Sequence, residues 1–154
     1  MRLNTKKILA VADGNAIPRT AIPDEAFASG MLGDGYAVDP LSGVIYSPAS
    51  GRIDSVTATR HAYTIHSDDG LDILVHVGID TVNLQGKHYT VHAAAGDKVK
   101  KGQLLIEFDK DAIAEAGYDT ITPVVVCNSD DYNTFRTNIG KAVTNADAVI
   151  ELAK

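Results

Sequence analysis

The sequence predicts an all-β fold, namely an antiparallel β-sandwich or barrel-like domain with short helical pieces. Glycine or proline interrupts the chain about every ten residues, and several of the short segments between them alternate apolar and polar residues with a period of two. Short strands at this spacing are typical of sandwiches and barrels. The 154 residues are 45% hydrophobic and 22% charged, which is the composition of a globular protein that can bury a core without disulfides or metals. We therefore expect one domain over residues 1–154.

The predicted elements follow from local patterns. The segments with period-two alternation are predicted to be strands, at residues 36–38, 44–46, 62–66, 71–77, 89–91 and 104–108. Residues 13–35 are polar and non-periodic, so they are predicted to form a long loop with one helical turn around residues 24–29. Residues 109–116 contain capping aspartates and good helix formers and are followed by Gly117, which predicts one short helix.

The charge balance excludes a nucleic acid partner. Lys and Arg number 14 against 20 Asp and Glu, which gives a net charge of −6 without an extended basic cluster. The first apolar run, residues 8–12, is far shorter than the roughly 18 residues of a membrane span, so no direct membrane insertion is expected. The single cysteine, Cys127, fits a reducing compartment. We expect a cytoplasmic protein in which Cys127 is a small buried hydrophobe.

The most informative stretch contains two histidines, His61 and His76, on either side of a predicted hairpin. Asp69-Gly70 between alternating strands is a strong type I′ turn signal. A two-residue loop, or a four-residue loop over residues 67–70, places both histidines on one face of the sheet, whereas a three-residue loop separates them unless a bulge intervenes. Two adjacent imidazoles can ligate zinc, act as acid and base, or capture an electrophile on one ring while the other stabilises the product. The other three histidines, His66, His88 and His92, are predicted to be solvated or structural.

Several longer motifs match one known family in order and spacing. They are Gly33-Asp34-Gly35, Ser47-Pro48-Ala49-Ser50-Gly51, His61-Ala62-Tyr63, the run Leu74-Val75-His76-Val77-Gly78-Ile79-Asp80-Thr81-Val82, Ala116-Gly117-Tyr118-Asp119 and Thr122-Pro123-Val124-Val125-Val126. On these motifs, which extend over about residues 22–152, the chain resembles the glucose-family enzyme IIA domain of the bacterial phosphoenolpyruvate-dependent sugar phosphotransferase system. The resemblance implies the same antiparallel sandwich with a shallow apolar depression that holds the two histidines.

The resemblance also implies a function and three catalytic residues. His76 would accept a phosphoryl group through Nε2 from the phosphohistidine of the carrier protein HPr and pass it to a cysteine of the enzyme IIB domain of a sugar permease. His61 would donate a hydrogen bond to the phosphoryl group, and Thr59 would orient His61. The protein would then be a phosphotransferase component with a phosphohistidine intermediate. Phosphoryl transfer depends mainly on positioning and electrostatic stabilisation, which fits so sparse a site.

A rim for partner binding is implied in the same way. The matching rim residues are Asp24, Phe27, Met31, Leu32, Leu74, Asp80 and Val82. Its apolar members would exclude water, and its two carboxylates would face basic groups on the carrier. Two positions depart from the family pattern, because Thr57 stands where the best-known glucose-specific member has an aromatic residue and Arg60 replaces a small polar residue beside His61.

The implied partners are HPr and the enzyme IIB/IIC sugar permease, and we expect a monomer that requires no cofactor. His61 and His76 could still bind zinc at a partner interface, where another chain would fill the open positions. Three alternatives remain at this point. They are a regulatory domain that binds permeases or metabolic enzymes, a zinc hydrolase based on the spacing of His76 and Asp80, and a biotinyl or lipoyl carrier suggested by the glycine-bounded run at residues 96–103 and by Lys110. The sugar is not specified, because an enzyme IIA surface contacts only proteins.

Overall fold

The computed structural model describes residues 5–153, so the ends of the predicted domain 1–154 lie outside the described residues. The strands are β1 (Lys6–Leu9), β2 (Gly14–Pro18), β3 (Asp34–Pro40), β4 (Val44–Tyr46), β5 (Gly51–Val56), β6 (Ala62–Ser67), β7 (Asp72–His76), β8 (Tyr89–Val91), β9 (Lys98–Val99), β10 (Leu104–Phe108), β11 (Thr122–Val126), β12 (Thr134–Thr137), β13 (Lys141–Val143) and β14 (Ala148–Ala153). The helices are α1 (Glu25–Ala28) and α2 (Lys110–Glu115), and 3₁₀ turns lie at Arg19–Ala21, Thr81–Leu84 and Ser129–Asp131. Between residues 5 and 153, no helix has the length and apolar character needed to cross a membrane.

The strands form one large and two small antiparallel sheets. The large sheet has the order β13-β2-β3-β11-β7-β6-β5-β9, and the small sheets have the orders β1-β14-β12 and β4-β10-β8. One buried cluster joins all three sheets, and it includes Ile8, Ile45, Ile65, Ile73, Leu105, Val124 and Ile150. Two sheet layers that share one apolar core are a β-sandwich, as the alternating segments predict.

A second, smaller cluster covers the opposite side of the large sheet, which we call the outer face. Along β11, Val124 and Val126 belong to the main core, whereas Val125 between them packs with Phe27 and Ile79 in the second cluster. Because successive side chains of a strand point to opposite faces, a strand covered on both faces is apolar throughout. The outer face of β11 and its neighbour β7 therefore supports the segment that contains α1.

The structure confirms the six predicted strands and both predicted helical segments. In α2, the side chain of Asp109 accepts a hydrogen bond from Ala112 N at 3.0 Å, which is the predicted N-cap. Asp24 caps α1 in the same way, by accepting from Ala26 N at 2.9 Å. An aspartate side chain therefore satisfies one of the free amides at the start of each helix.

Two other predictions were wrong. Residues 13–35 are not one long loop, because they contain β2 and a 3₁₀ turn before α1. Strand β2 has only one buried hydrophobic side chain, Ala16, and exists because it pairs with β3 and β13 rather than because of its own pattern. Cys127 is exposed rather than buried, since β11 ends at Val126 and Cys127 lies just beyond the sheet interior.

Candidate functional site

The hairpin between β6 and β7 differs from the prediction in its loop length. The strands pair Ala62 with His76 and Ile65 with Ile73, so three residues, 68–70, form the loop rather than two or four. Ser67 closes it, because Ser67 N donates to Leu71 O and Leu71 N donates to Ser67 Oγ, both at 2.8 Å. An odd loop would place His61 and His76 on opposite faces if both strands were fully extended.

The two imidazoles nevertheless meet, with ring centroids 4.6 Å apart and planes at 80°. His61 escapes the alternation because it precedes β6, in the turn that connects β5 to β6. In this turn Arg60 has a left-handed φ of 63°, and Thr57 N donates to Ala62 O at 2.9 Å. The local turn, rather than strand register, brings His61 to the end of β7 where His76 lies.

His76 is held in one tautomer by the backbone. Its Nδ1 lies 2.7 Å from the carbonyl oxygen of Gly78. A carbonyl only accepts, so Nδ1 must carry the proton and Nε2 keeps its lone pair. Burial lowers the pKa of His76, although the Gly78 carbonyl and then the carboxylates of Asp24 and Asp80 oppose that shift. The neutral ring with a free Nε2 is therefore the favoured state.

Glycine is required at residue 78 to present this carbonyl. Gly78 has a φ of 93°, and a Cβ there would lie 2.5 Å from Thr81 Cγ2 and 2.9 Å from Asp119 O. Any other residue would meet both backbone strain and a clash. The carbonyl partner of His76 is the main feature of the site that side-chain patterns could not reveal.

His61 is also neutral, and it is more deeply buried. It is 4% exposed, and its Nδ1 lies 2.7 Å from Thr59 Oγ1. Burial first, and the neighbouring His76 second, lower its pKa to about 4, while the Thr59 backbone carbonyl opposes the shift. When the Thr59 hydroxyl donates to Nδ1, the ring proton stands on Nε2, and His61 can then act as a hydrogen-bond donor through that atom.

Two of the predicted apolar rim residues, Phe27 and Leu74, are placed beside His76 or next to its neighbour. The Phe27 ring lies 5.2 Å from that of His76, and Leu74 packs beside Phe27 in the outer-face cluster. Four large hydrophobic side chains of residues 5–153 are exposed, and three of them, Met31, Leu32 and Val82, belong to the predicted rim, whereas Leu41 does not. Neighbouring exposed apolar side chains, such as Met31 and Leu32, are typical of a protein interface.

The two predicted carboxylates reach His76 electrostatically. Asp24 and Asp80 both favour the protonated form of its ring. Asp24 is at the same time the N-cap of α1, and Asp80, with a left-handed φ of 58°, precedes the 3₁₀ turn that carries Val82. The Asp24 carboxylate is thus held by the start of α1, whereas the backbone conformation of Asp80 sets the direction of the turn that follows it.

The metal alternatives depend on how many ligands accompany the two imidazoles. Within residues 5–153 no group of three or more His, Cys, Asp or Glu side chains could hold a metal ion. Two of the other histidines have carboxylate partners instead, since His66 Nδ1 lies 2.7 Å from Asp72 Oδ1 and His92 Nε2 lies 2.8 Å from Glu107 Oε1. The paired imidazoles supply two nitrogen ligands, which is half of a tetrahedral zinc site.

The lysine of the carrier alternative is misplaced. Lys110 is the first residue of α2, whereas the resemblance to a biotinyl or lipoyl domain would need it at a tip between two strands. The charged run at residues 98–102 begins in β9 and continues into the turn before β10. Lys110 therefore does not occupy the position that a carrier lysine would need.

Fold and site together define a β-sandwich domain with a surface site made of two neutral imidazoles. The sequence matches the family model of the phosphoenolpyruvate-dependent sugar phosphotransferase system, EIIA 1, over residues 6–132. The chain therefore belongs to this family, as its motifs indicate. A glucose permease IIA from Mycoplasma capricolum superposes with a TM-score of 0.88 and 29% identity, and the match covers 96% of both chains.

Relatives of two kinds match. A glucose-specific EIIA component of Bacillus cereus is 38% identical over 149 residues, which are 97% of this chain and 90% of that protein. A glucose-specific EIICBA component of Streptococcus pneumoniae is 48% identical over 126 residues, which are 82% of this chain but 17% of that protein. This chain thus spans about a fifth of the length of the multicomponent relatives, from 17% to 23%.

Proposed function

We propose that this chain is a phosphocarrier, which accepts a phosphoryl group on Nε2 of His76 from phosphorylated HPr and passes it to a cysteine of an enzyme IIB domain. The observation that carries this proposal is the hydrogen bond from His76 Nδ1 to the Gly78 carbonyl at 2.7 Å, because it leaves Nε2 as the nucleophilic nitrogen. The partners follow from the family, whose relatives include proteins named as EIICBA and EIIBCA components.

The proposed transfer of the phosphoryl group to His76 involves only the donor imidazole, the phosphoryl group and the His76 ring. The Nε2 lone pair of His76 attacks phosphorus, a new N–P bond forms, and the donor imidazole leaves with the electrons of its own N–P bond. The His76 ring is then an imidazolium that still carries its Nδ1 proton. The Gly78 carbonyl and the carboxylates of Asp24 and Asp80 stabilise this positive charge, since each favours the protonated ring.

His61 supports the product rather than the attack. The Thr59 hydroxyl donates to Nδ1 of His61 at 2.7 Å, so Nε2–H of His61 is available as a donor. The ring centroids of His61 and His76 are 4.6 Å apart, and Nε2–H of His61 can therefore donate to an oxygen of the phosphoryl group on His76. Because its pKa is lowered to about 4, His61 is neutral near pH 7. A neutral donor stabilises the phosphoryl group without holding it as tightly as an imidazolium would, which favours onward transfer.

The apolar rim protects the intermediate. Phe27 is 5% exposed and covers one side of His76, and Met31 and Val82 project further out. A partner that seats on these side chains would remove water from the reacting atoms. The same docking mode accounts for transfer between two proteins. We propose that the transfer takes place in the cytoplasm, a compartment that keeps Cys127 reduced.

The test is intact-protein mass spectrometry after incubation with phosphoenolpyruvate, enzyme I and HPr, with HPr omitted as a control. We expect an HPr-dependent, acid-labile gain of one phosphoryl group that maps to His76. The variant His76→Ala should accept none, whereas His61→Ala should accept the group but pass it on poorly. The matched control is His66→Ala, which removes an exposed imidazole from the same hairpin and should behave like wild type. Acceptance by His76→Ala would overturn the assignment.

A further inference from the structure

Residues 24–33, which we call the docking segment, carry four of the proposed rim residues but little regular structure. Helix α1 within it has four residues, and Met31 and Leu32 after the helix are 75% and 38% exposed. So short a helix is not stable on its own. Its orientation must therefore be set by contacts with other parts of the chain, of which buried Phe27 supplies one.

Arg19 supplies a second contact, at the other end of the helix. Its Nη1 donates to the carbonyl oxygen of Ala28, the last residue of α1, and its Nε donates to Asp34 Oδ1 at 3.2 Å. The same oxygen accepts from Gly35 N at 2.9 Å, so the carboxylate is itself held at the start of β3. One guanidinium thus links the end of the docking helix to the large sheet.

Gly30 makes room for this link. It has a φ of 82°, and a Cβ there would lie 3.0 Å from Arg19 Nη1. Two hydrogen bonds shape the turn around it, from Gly30 N to Phe27 O at 3.1 Å and from Gly33 N to Gly30 O at 3.0 Å. The Arg19 side chain is 23% exposed, and its planar group can serve two acceptors at fixed angles, which a lysine cannot.

We propose that Arg19 is a positioning residue for partner docking, which holds the docking segment so that Phe27 covers His76 while Met31 and Leu32 face the partner. This inference rests on the proposed function and adds a residue that determines how well the partner is bound. The hydrogen bonds of Arg19 go to Ala28 and Asp34 rather than to the imidazoles. Its loss should therefore weaken binding of the phosphoryl donor and leave the transfer step unchanged.

The experiment measures steady-state phosphoryl transfer from phosphorylated HPr to wild type, Arg19→Lys and Arg19→Gln, with the concentration of this chain varied. We expect KM to rise about threefold to tenfold in both variants, which is the range for loss of a partly exposed, hydrogen-bonded ion pair. We expect kcat to stay within about twofold of the wild-type value. Amide hydrogen exchange of Gly30 and Gly33 should become faster in both variants, which reports the loosened segment directly.

The controls separate position from charge. Lys7→Gln removes the same charge as Arg19→Gln from a remote surface pair, Lys7 with Glu151 at 4.0 Å. Loss of a positive charge makes this acidic chain more negative, which favours binding of a basic partner. KM should therefore fall slightly or stay constant in Lys7→Gln. Arg19→Lys keeps the net charge and remains a test even if Arg19→Gln does not fold.

An unchanged KM together with unchanged amide exchange in folded Arg19→Lys would overturn the proposal, and so would a fall in kcat at constant KM. If the wild type accepts no phosphoryl group, the proposed function fails. Amide exchange would still test the link between Arg19 and the docking segment in that case, so the two failures are distinguishable.

Discussion

The burial of His61 should make the folded protein lose stability in mild acid. The ring is 4% exposed, and burial together with His76 lowers its pKa from 6.5 to about 4. The unfolded chain therefore binds a proton at pH values where the folded chain does not, and proton binding favours the unfolded state. The contribution of His61 is fully present above a pH of about 6.5 and is lost as the pH falls toward about 4.

The size of the effect can be worked out at pH 5. An unfolded imidazole with a pKa of 6.5 is almost fully protonated at this pH, whereas the folded ring, with a pKa of about 4, is mostly neutral. Proton binding then favours the unfolded state by about thirtyfold, which corresponds to roughly 2 kcal/mol, and the same effect at pH 7 is only about 0.2 kcal/mol. Because pH 5 lies above the pKa of His61 in the folded protein, the folded ring binds little proton at this pH. Protonation of the unfolded chain therefore accounts for most of this change in the free energy of unfolding.

The assay is urea unfolding of wild type and His61→Gln at pH 7 and pH 5. The variant lacks the buried ring, so its loss of unfolding free energy between the two pH values should be smaller than that of wild type by about 2 kcal/mol, or about 1 M in the urea midpoint. Comparing each protein with itself at pH 7 removes any general cost of the substitution. Equal losses in both proteins would refute the assignment of the acid-sensitive group to His61. The lowered pKa of His76 accounts for part of the loss that remains.

Three other predictions concern single hydroxyl groups and one glycine. The buried Tyr63 hydroxyl has no hydrogen-bond partner within residues 5–153, so Tyr63→Phe should raise the free energy of unfolding by about 1 kcal/mol. The Tyr89 hydroxyl donates to a backbone carbonyl at 2.8 Å, so Tyr89→Phe should lower the free energy of unfolding by a similar amount. Urea unfolding that shifts the stability of both variants in the same direction would contradict this. Gly78→Ala should destabilise the fold by about 1–3 kcal/mol and slow acceptance of the phosphoryl group, and a wild-type rate in single-turnover mass spectrometry would show that its carbonyl is not needed. Thr59→Val should accept the phosphoryl group normally and transfer it onward about threefold to tenfold more slowly, and Thr59→Ser should recover the transfer rate. A wild-type transfer rate in Thr59→Val would exclude a role for the hydroxyl in orienting His61.

Local signals in the sequence were sufficient wherever one segment determined its own structure. The helix at residues 110–115 follows from Asp109 and Gly117, because capping groups act on the nearest turn. Strand β2 could not be predicted in this way, since its one buried hydrophobic residue, Ala16, leaves almost no pattern and the strand depends on pairing with distant neighbours. The burial of Cys127 was mispredicted for a related reason, because the end of a strand depends on where its partners end.

The two histidines show how a correct juxtaposition can follow from an incorrect premise. Parity across an even loop predicts that His61 and His76 share a face, but the loop has three residues. They meet because Arg60 takes a left-handed conformation and places His61 in a turn outside the strand. Nothing in the sequence pattern requires a positive φ at an arginine, so this turn could only be read from the structure.

In the proposed function, the chemistry of transfer and the recognition of partners depend on different parts of the site, so the two should respond differently to substitution. A backbone carbonyl leaves Nε2 of His76 free for its proposed role, and burial keeps His61 neutral, so both features depend on the residues next to β6 and β7 of the large sheet. The docking segment depends instead on a short helix that one guanidinium links to the sheet. Substitutions of Met31 and Leu32, the exposed residues of that segment, should therefore alter the choice of partner while the transfer step keeps its rate. A variant of Met31 or Leu32 that lowered kcat at saturating partner, with KM unchanged, would contradict this separation.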